Sequence, residues 1–211
     1  MGNKPFLKIC GITRTEDLQE VINSGADAIG FIAFPKSPRY ISPAKLKELL
    51  GSCNTKGVLK VGVFVNTTLD EINAYIESGI DVIQLHGDET AEFASKLDSP
   101  VWRALRLKGA AQINEYKDFP CDKFLIDSFV KGSEIPGGTG HVANWELARE
   151  FIKATDSNVL LAGGLKSSNL QEAYAEVKPF GFDLSSGVET SPGIKSAEKI
   201  ADLIKALNSL T

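Results

Sequence analysis

Two hydrophobic periods take turns along this chain. Short apolar runs rich in Val, Ile, Leu and Phe occupy residues 6–10, 28–34, 58–65, 82–86, 101–107, 123–127, 159–164 and 181–185. Nearly continuous apolar runs of that length suit parallel strands covered on both faces. The intervening stretches read at helical spacing. Residues 15–24 place Leu18, Val21 and Ile22 on one face, and residues 69–77 do the same with Ile72 and Ile76. Gly25 and Gly79 follow these stretches, where a left-handed residue commonly closes a helix. At the first of them, Thr13-Arg-Thr-Glu16 has the spacing of a capping box.

Eight strand–helix units in succession predict an α/β fold, a (β/α)8 TIM barrel. An open doubly wound sheet shares the alternation, but no Gly-x-Gly-x-x-Gly follows the first strand. The candidate site residues fall at the ends of many strands, which favours the barrel. No linker or low-complexity segment interrupts the 211 residues, so residues 1–211 are expected to form a single barrel domain. A net charge of −4 gives no support to nucleic-acid or anionic-membrane binding, so an anionic ligand must be met by local groups. No apolar run is long enough to span a membrane, and Met1-Gly-Asn-Lys4 lacks the apolar segment of a signal peptide. Cys10, Cys53 and Cys121 lack metal-ligand spacing and read as reduced thiols of a cytoplasmic protein.

Two loops near the C-terminus carry the plainest chemical signal. Leu161-Ala-Gly-Gly-Leu165 and Gly181-Phe-Asp-Leu-Ser-Ser-Gly187 each run from a strand into a small-residue turn and then a helix pattern. Gly163, Gly164, Ser185, Ser186 and Gly187 would let backbone N–H groups come close to a phosphate. Two such turns in consecutive units match the phosphate site after strands 7 and 8 of a barrel, and predict a small phosphorylated metabolite as ligand.

Strand alternation ranks the remaining candidates. Cys10 ends the first strand on the face of Lys8, and Gly11 leaves room beside it. A thiolate there can act as a general base if its ordinary pKa of about 8.5 is lowered, and Lys8 is the cation placed to lower it. The alternative is a small buried hydrophobe. Asp127 ends the sixth strand on the face of Lys123 and Leu125. An unpaired buried carboxylate is costly, so Asp127 is an acid, a base or a metal ligand, or else it caps the following loop. No second carboxylate at a neighbouring strand end makes a metal pair, which favours acid–base work. In Phe34-Pro-Lys-Ser-Pro-Arg-Tyr40, two prolines hold Arg39 near the mouth, where its guanidinium suits bidentate capture of a carboxylate. A solvated loop arginine is the alternative. Gln84 and His86 face inward, and His86 either contacts substrate or orients a loop. Asp183 shares a face with Ser185 and either binds a sugar hydroxyl or pairs with Lys8. His141, in a Gly-rich loop, reads as solvated, and Cys53 and Cys121 as structural.

The motifs Lys8-Ile-Cys-Gly11, Gly30-Phe31 with Ser37-Pro-Arg39, Val61-Gly-Val-Phe-Val-Asn66, Gln84-Leu-His-Gly87 and Leu125-Ile-Asp127 stand in one order along the chain. Gly137-Gly-Thr-Gly140 with Trp145, Leu161-Ala-Gly-Gly-Leu165, and Asp183-Leu-Ser-Ser-Gly-Val-Glu189 with Pro192-Gly193 continue it. Together, and over nearly the whole chain, they resemble the phosphoribosylanthranilate isomerase family of tryptophan biosynthesis. The resemblance implies a (β/α)8 barrel without cofactor or metal. It implies an Amadori rearrangement of N-(5'-phosphoribosyl)anthranilate to 1-(2-carboxyphenylamino)-1-deoxyribulose 5-phosphate. It makes Asp127 the general acid, Cys10 the general base and Arg39 the binder of the anthranilate carboxylate. It places Gly163, Gly164 and Ser185 with its neighbours around the phosphate, and Asp183 near the sugar. Phe182 is bulkier than the small apolar residue expected before Asp183, and Gly140-His141 departs from the basic residue often found there. The expected partner is the small phosphosugar–anthranilate substrate alone, with no nucleic acid or membrane, and the chain is expected to be a monomer or weak homo-oligomer. Another phosphosugar isomerase barrel would call for a second phosphate site and a carboxylate in place of Cys10. An epimerase barrel would call for metal-binding His and Asp at strand ends. A non-catalytic barrel that binds a phosphometabolite and regulates a partner would show no turnover.

Overall fold

The eight apolar runs become eight parallel strands that close on themselves. They are β1 (Phe6–Cys10), β2 (Ala28–Ile32), β3 (Leu59–Phe64), β4 (Val82–Leu85), β5 (Val101–Leu105), β6 (Lys123–Asp127), β7 (Asn158–Ala162) and β8 (Gly181–Leu184) in the computed structural model, which describes residues 4–127 and 142–210. Each strand pairs with its sequence neighbour, and β8 pairs back onto β1 with Asp183 opposite Lys8. The helices α1 (Thr15–Asn23), α2 (Pro43–Ser52), α3 (Leu69–Glu77), α4 (Ala91–Ala94), α5 (Ala111–Tyr116), α6 (Val142–Ala154), α7 (Leu170–Val177) and α8 (Ala197–Asn208) alternate with them. The (β/α)8 barrel expected from the sequence is therefore the fold, and among the described residues no helix is long and apolar enough to cross a membrane.

Alternation divides the strand residues between two cores. Ala28, Val61, Val82, Trp102, Ala104, Leu125, Leu160 and Ala162 pack inside the barrel. Leu7, Ile9, Ile29, Phe31, Ile83, Phe124 and Ile126 join Leu18, Val21, Leu46, Ile72, Phe151 and Leu203 in the layer between strands and helices. Phe6 meets Trp102 edge-on with ring centroids 6.0 Å apart, and the Lys123 ammonium lies 5.8 Å from the Trp102 ring centre. At this N-terminal end, Asp27, Asp81 and Asp122 each accept a backbone N–H from a neighbouring strand. The donors are Leu7, Lys60 and Val101, each at 2.8 Å. These carboxylates tie the strand starts together and leave the opposite ends for chemistry.

Most of the apolar runs overshoot their strands. The sheet releases β2 after Ile32, β4 after Leu85, β5 after Leu105, β7 after Ala162 and β8 after Leu184. The residues beyond, among them His86, Arg106, Gly163 and Ser185, form the mouth. Gly25 and Gly79 do take positive φ after their helices, at 75° and 109°.

The capping box expected at Thr13–Glu16 does not form. Helix α1 begins at Thr15, with Arg14 at its cap and no side-chain cap bond. Thr13 instead donates its hydroxyl to the Gly193 carbonyl at 2.6 Å, while exposed Glu16 pairs with Arg14. A tertiary contact has taken the hydroxyl that the local motif would have used. The capping box occurs at α3, between Thr68 and Glu71. Gly193 belongs to an unforeseen hairpin after β8, formed by β9 (Glu189–Ser191) and β10 (Ile194–Lys195).

Glycine substitutions test this packing. A Cβ at Gly181 would collide with the Phe6 carbonyl across the β1–β8 seam, whereas one at Gly51 in α2 meets nothing within 4 Å. Gly181→Ala should destabilise by about 1–3 kcal/mol through overpacking. Gly51→Ala should stabilise by about 0.5–1 kcal/mol through backbone entropy. Urea midpoints measure both, and equal midpoints would contradict the tight seam.

Candidate active site

A cavity of about 350 Å³ opens at the C-terminal strand ends. Its lining brings together Cys10, Arg39, His86, Asp127, Asp183, Gly163, Gly164 and the Ser185–Gly187 turn. All the site residues named from sequence alternation thus converge on one space, from five different strand ends and one loop.

Cys10 is buried, and Gly30 stands opposite it on β2. A Cβ at Gly30 would lie 2.5 Å from the Cys10 sulfur, so the thiol occupies room that only glycine leaves. Lys8 is fully buried below it and donates to Asp183 Oδ1 at 2.9 Å. Of the two roles expected for Asp183, the pairing with Lys8 is present. That pairing changes the chemistry of the thiol. Burial pushes Cys10 above the ordinary thiol value, Lys8 pulls it down, and Asp183 opposes Lys8. Lys8 does pull the thiol pKa down, as expected, but desolvation is larger and the ammonium is shared with a carboxylate, so the net shift in the free protein is upward. Burial also opposes the charge on Lys8. Asp183 and Cys10 together outweigh it, and Lys8 stays protonated with its pKa raised.

Asp127 meets Arg106, whose Nε donates to Oδ2 at 2.9 Å, and the same oxygen lies 3.9 Å from His86 Nε2. Burial pushes the His86 pKa below 6.5, with Asp127 pulling the other way. His86 is therefore a neutral imidazole near pH 7, and its Nε2 has no hydrogen-bond partner among the described residues. Arg106 was not foreseen. It follows Trp102 and Ala104 at the inward spacing of β5, so alternation carried one step past the strand would have found it. A second cavity of about 390 Å³ adjoins and shares His86 and Arg106.

Arg39 is held rather than solvated. Its Nε donates to Glu189 Oε1 and Oε2 at 2.9 and 3.1 Å, and its Nη2 donates to Oε2 at 2.5 Å. Lys195 donates to the same carboxylate at 2.8 Å. Neither Glu189 nor Lys195 was given a role from the sequence, because Arg39 and the Cys10 carbonyl, which they meet, are remote along the chain.

The two small-residue turns touch. Gly163 and Gly164 have φ of 88° and 66°. A Cβ at Gly187 would collide with the Leu165 carbonyl, so the second turn packs on the first. A short 3-10 turn, Ser186–Val188, follows Ser185. The Ser185 hydroxyl and Gln84 Oε1 are buried without hydrogen-bond partners among the described residues. No group of three or more His, Cys, Asp or Glu that could hold a metal occurs among those residues. The Gly137–Gly140 loop and His141 lie outside them, while Trp145 is buried. Cys53 and Cys121 pack against the outer core, and burial pushes Cys121 to about 12.

The thiol environment is directly measurable. Alkylation of Cys10 by iodoacetamide, followed peptide by peptide, should accelerate with pH to a midpoint above 9.0 in the free protein. A midpoint near neutrality would mean that Lys8 outweighs burial after all.

The profile of the family described as N-(5'phosphoribosyl)anthranilate (PRA) isomerase matches residues 7–206. The N-(5'-phosphoribosyl)anthranilate isomerase of Geotalea uraniireducens (strain Rf4) is 38% identical over 205 residues, covering 97% of this chain and 98% of the relative. The crystal structure of phosphoribosyl anthranilate isomerase from Thermus thermophilus superposes with a TM-score of 0.83 at 37% identity, covering 98% of this chain and 100% of that one. A further crystal structure of a phosphoribosyl anthranilate isomerase, in complex with reduced 1-(o-carboxyphenylamino)-1-deoxyribulose 5-phosphate, gives 0.83 at 32% identity with the same coverage.

Proposed function

The chain belongs to the phosphoribosylanthranilate isomerase family, enzymes of tryptophan biosynthesis, and on that premise we propose that Cys10 and Asp127 are its base and acid. The observation that carries this reading is their meeting in one cavity whose other walls offer a cation, Arg39, and a paired Gly/Ser turn. The substrate has two anionic ends, a phosphate and a carboxylate. The turn residues Gly163, Gly164, Ser185, Ser186 and Gly187 take the phosphate through backbone N–H groups, and Arg39 takes the carboxylate. Anchoring both ends stretches the ribose between the two strand ends that carry the acid and the base. His86 and Asp183 line the sugar's place.

The steps follow from that placement. Asp127 gives its proton to the furanose oxygen as the C1–O bond breaks, and the anthranilate nitrogen forms a C=N bond to C1. The iminium makes the C2 proton acidic. The Cys10 thiolate takes that proton, and the C–H electrons form the C1=C2 bond and neutralise the nitrogen. The resulting enol-amine gains a proton at C1 and loses one from the C2 hydroxyl, which leaves the ketone. Cys10 ends protonated, its resting state, and Asp127 ends ionised and regains a proton from solvent. In the free protein the thiol keeps its proton at neutral pH, so that proton leaves to solvent once the cationic substrate nitrogen stands beside the sulfur and favours the thiolate.

Two substitutions with turnover of N-(5'-phosphoribosyl)anthranilate as readout test the pair. Cys10→Ala should lower kcat by roughly 10²–10⁴-fold while retaining affinity for the reduced product analogue. Asp127→Asn should keep the circular dichroism of the native protein and lose turnover to a similar degree. Near-normal kcat in either variant would remove that residue from its role.

Arg39→Lys tests the carboxylate clamp. It should weaken binding of the reduced product analogue by about tenfold or more, since charge is retained but the fork is lost. An analogue without the carboxylate should be indifferent to the change, and equal losses for both ligands would return Arg39 to a structural role. We further read residues 1–211 as one catalytic domain acting in the cytoplasm as a monomer or weak homo-oligomer, which light scattering over a dilution series checks.

A further inference from the structure

Glu189 is the first residue of β9, just beyond the phosphate turn, and none of the steps above uses it. It is buried at 5% exposure, as is Lys195 at 6%. Burial alone would push its carboxyl up, yet hydrogen bonds and charge from Arg39 and Lys195 hold it below the usual carboxylate value of 4.5. It is an anion directly behind Arg39, which lines a cavity meant for anions.

Two facts resolve that conflict. The first is charge. Arg39 and Lys195 contribute +2 and Glu189 contributes −1, so the cluster keeps a net +1 toward a ligand. An Arg–Glu pair alone would be neutral. The second is geometry. A guanidinium has two edges that can meet a carboxylate with parallel N–H bonds. Glu189 takes the Nε/Nη2 edge of Arg39. On the Nη1/Nη2 edge, Nη1 makes no hydrogen bond among the described residues, and Nη2 spends only its Glu189-facing N–H. The stem is fixed as well. Gly11 has φ of 81°, and a Cβ on it would lie 2.6 Å from Arg39 Cδ, so the arginine lies across the residue that follows Cys10.

We infer that Glu189 is a positioning residue for substrate recognition: it grips Arg39 by one edge and so presents the other edge, already oriented, to the anthranilate carboxylate. This rests on the reading of Arg39 as the carboxylate binder. Lys195 completes the support. Its ammonium donates to Glu189 Oε1 at 2.8 Å and to the Cys10 carbonyl at 2.5 Å, with a longer contact of 3.4 Å to the Ser185 carbonyl. The Gly193 N–H adds a bond of 3.3 Å to the same carboxylate. One buried anion thereby sets the distance between the carboxylate clamp and the strand end that carries the base.

The inference and a purely electrostatic role predict opposite signs. If Glu189 only offset positive charge, neutralising it would strengthen attraction for an anionic ligand. If it holds Arg39, neutralising it releases the guanidinium and weakens binding. The experiment measures Kd for the reduced product analogue, with KM and kcat for the substrate, in Glu189→Gln, Arg39→Ala and the double variant. Glu189→Gln should weaken the analogue by about tenfold or more, the worth of a charge-assisted hydrogen bond. KM should rise in parallel, and kcat should change by less than about threefold. In the Arg39→Ala background the same substitution should cost nothing further, because there is no guanidinium left to hold. Glu189→Gln/Lys195→Met keeps the net charge and leaves no orphaned buried ammonium, so it should show the same loss, and it serves if the single variant folds poorly. Unchanged or tighter binding in Glu189→Gln, or a loss that adds fully to that of Arg39→Ala, would overturn the inference. If Arg39→Ala itself leaves analogue affinity intact, the Arg39 reading fails first and takes this one with it.

Discussion

Closure of β8 onto β1 is the constraint on which the rest of the molecule depends. Only when the last strand pairs with the first does an interior exist, with no free sheet edge and one set of strand ends for a site. The seam is narrow, since Gly181 can carry no side chain beside the Phe6 carbonyl. It also encloses a charge pair, Lys8 with Asp183, whose lysine is completely buried. Desolvating two ions costs several kcal/mol and their attraction need not exceed that cost, so the pair is no simple source of stability. Losing one partner would leave an uncompensated charge inside the barrel, so the two strands that carry them are bound to stay in register.

The same logic recurs around the mouth. Arg106 meets Asp127, and Arg39 and Lys195 meet Glu189. Each of these charges has a counter-charge within hydrogen-bond reach. Arg39, Lys195 and Glu189 are thus held at fixed places by local partners and not by a global field, consistent with a net charge of only −4. Cys10 is the exception. Its surroundings, burial foremost, favour the neutral thiol in the free protein.

A parallel device steadies the loops between β3 and β5. Glu89 accepts N–H groups from Asn66 at 2.7 Å and Gly87 at 2.9 Å, and it receives Arg103 Nη1 at 2.7 Å. Arg103 is itself flanked by Phe119 and Tyr116, at 5.2 and 5.8 Å from their ring centres. Gly87, one of the partners of Glu89, directly follows His86. The imidazole beside Asp127 is therefore carried by a loop whose backbone is pinned on both sides.

By itself, the sequence determined the period of the elements and the side of each strand that faces inward. From these came the barrel, the convergence of Cys10, Asp127, His86 and Asp183, and the glycine turns, because alternation and glycine conformational freedom are local properties. Only the tertiary structure decided where each strand lets go, since release depends on the neighbour's hydrogen bonds and not on a residue's own apolarity. It decided that Thr13 would serve the β9–β10 hairpin instead of α1. It decided the partners of the charges, Lys8 with Asp183, Arg106 with Asp127 and Arg39 with Glu189, and, through burial first and then the Asp183 carboxylate that opposes Lys8, that the Cys10 thiol is raised and not lowered. Coulomb interactions and desolvation act through space, and closing the ring brings residues far apart in sequence within 3 Å of one another.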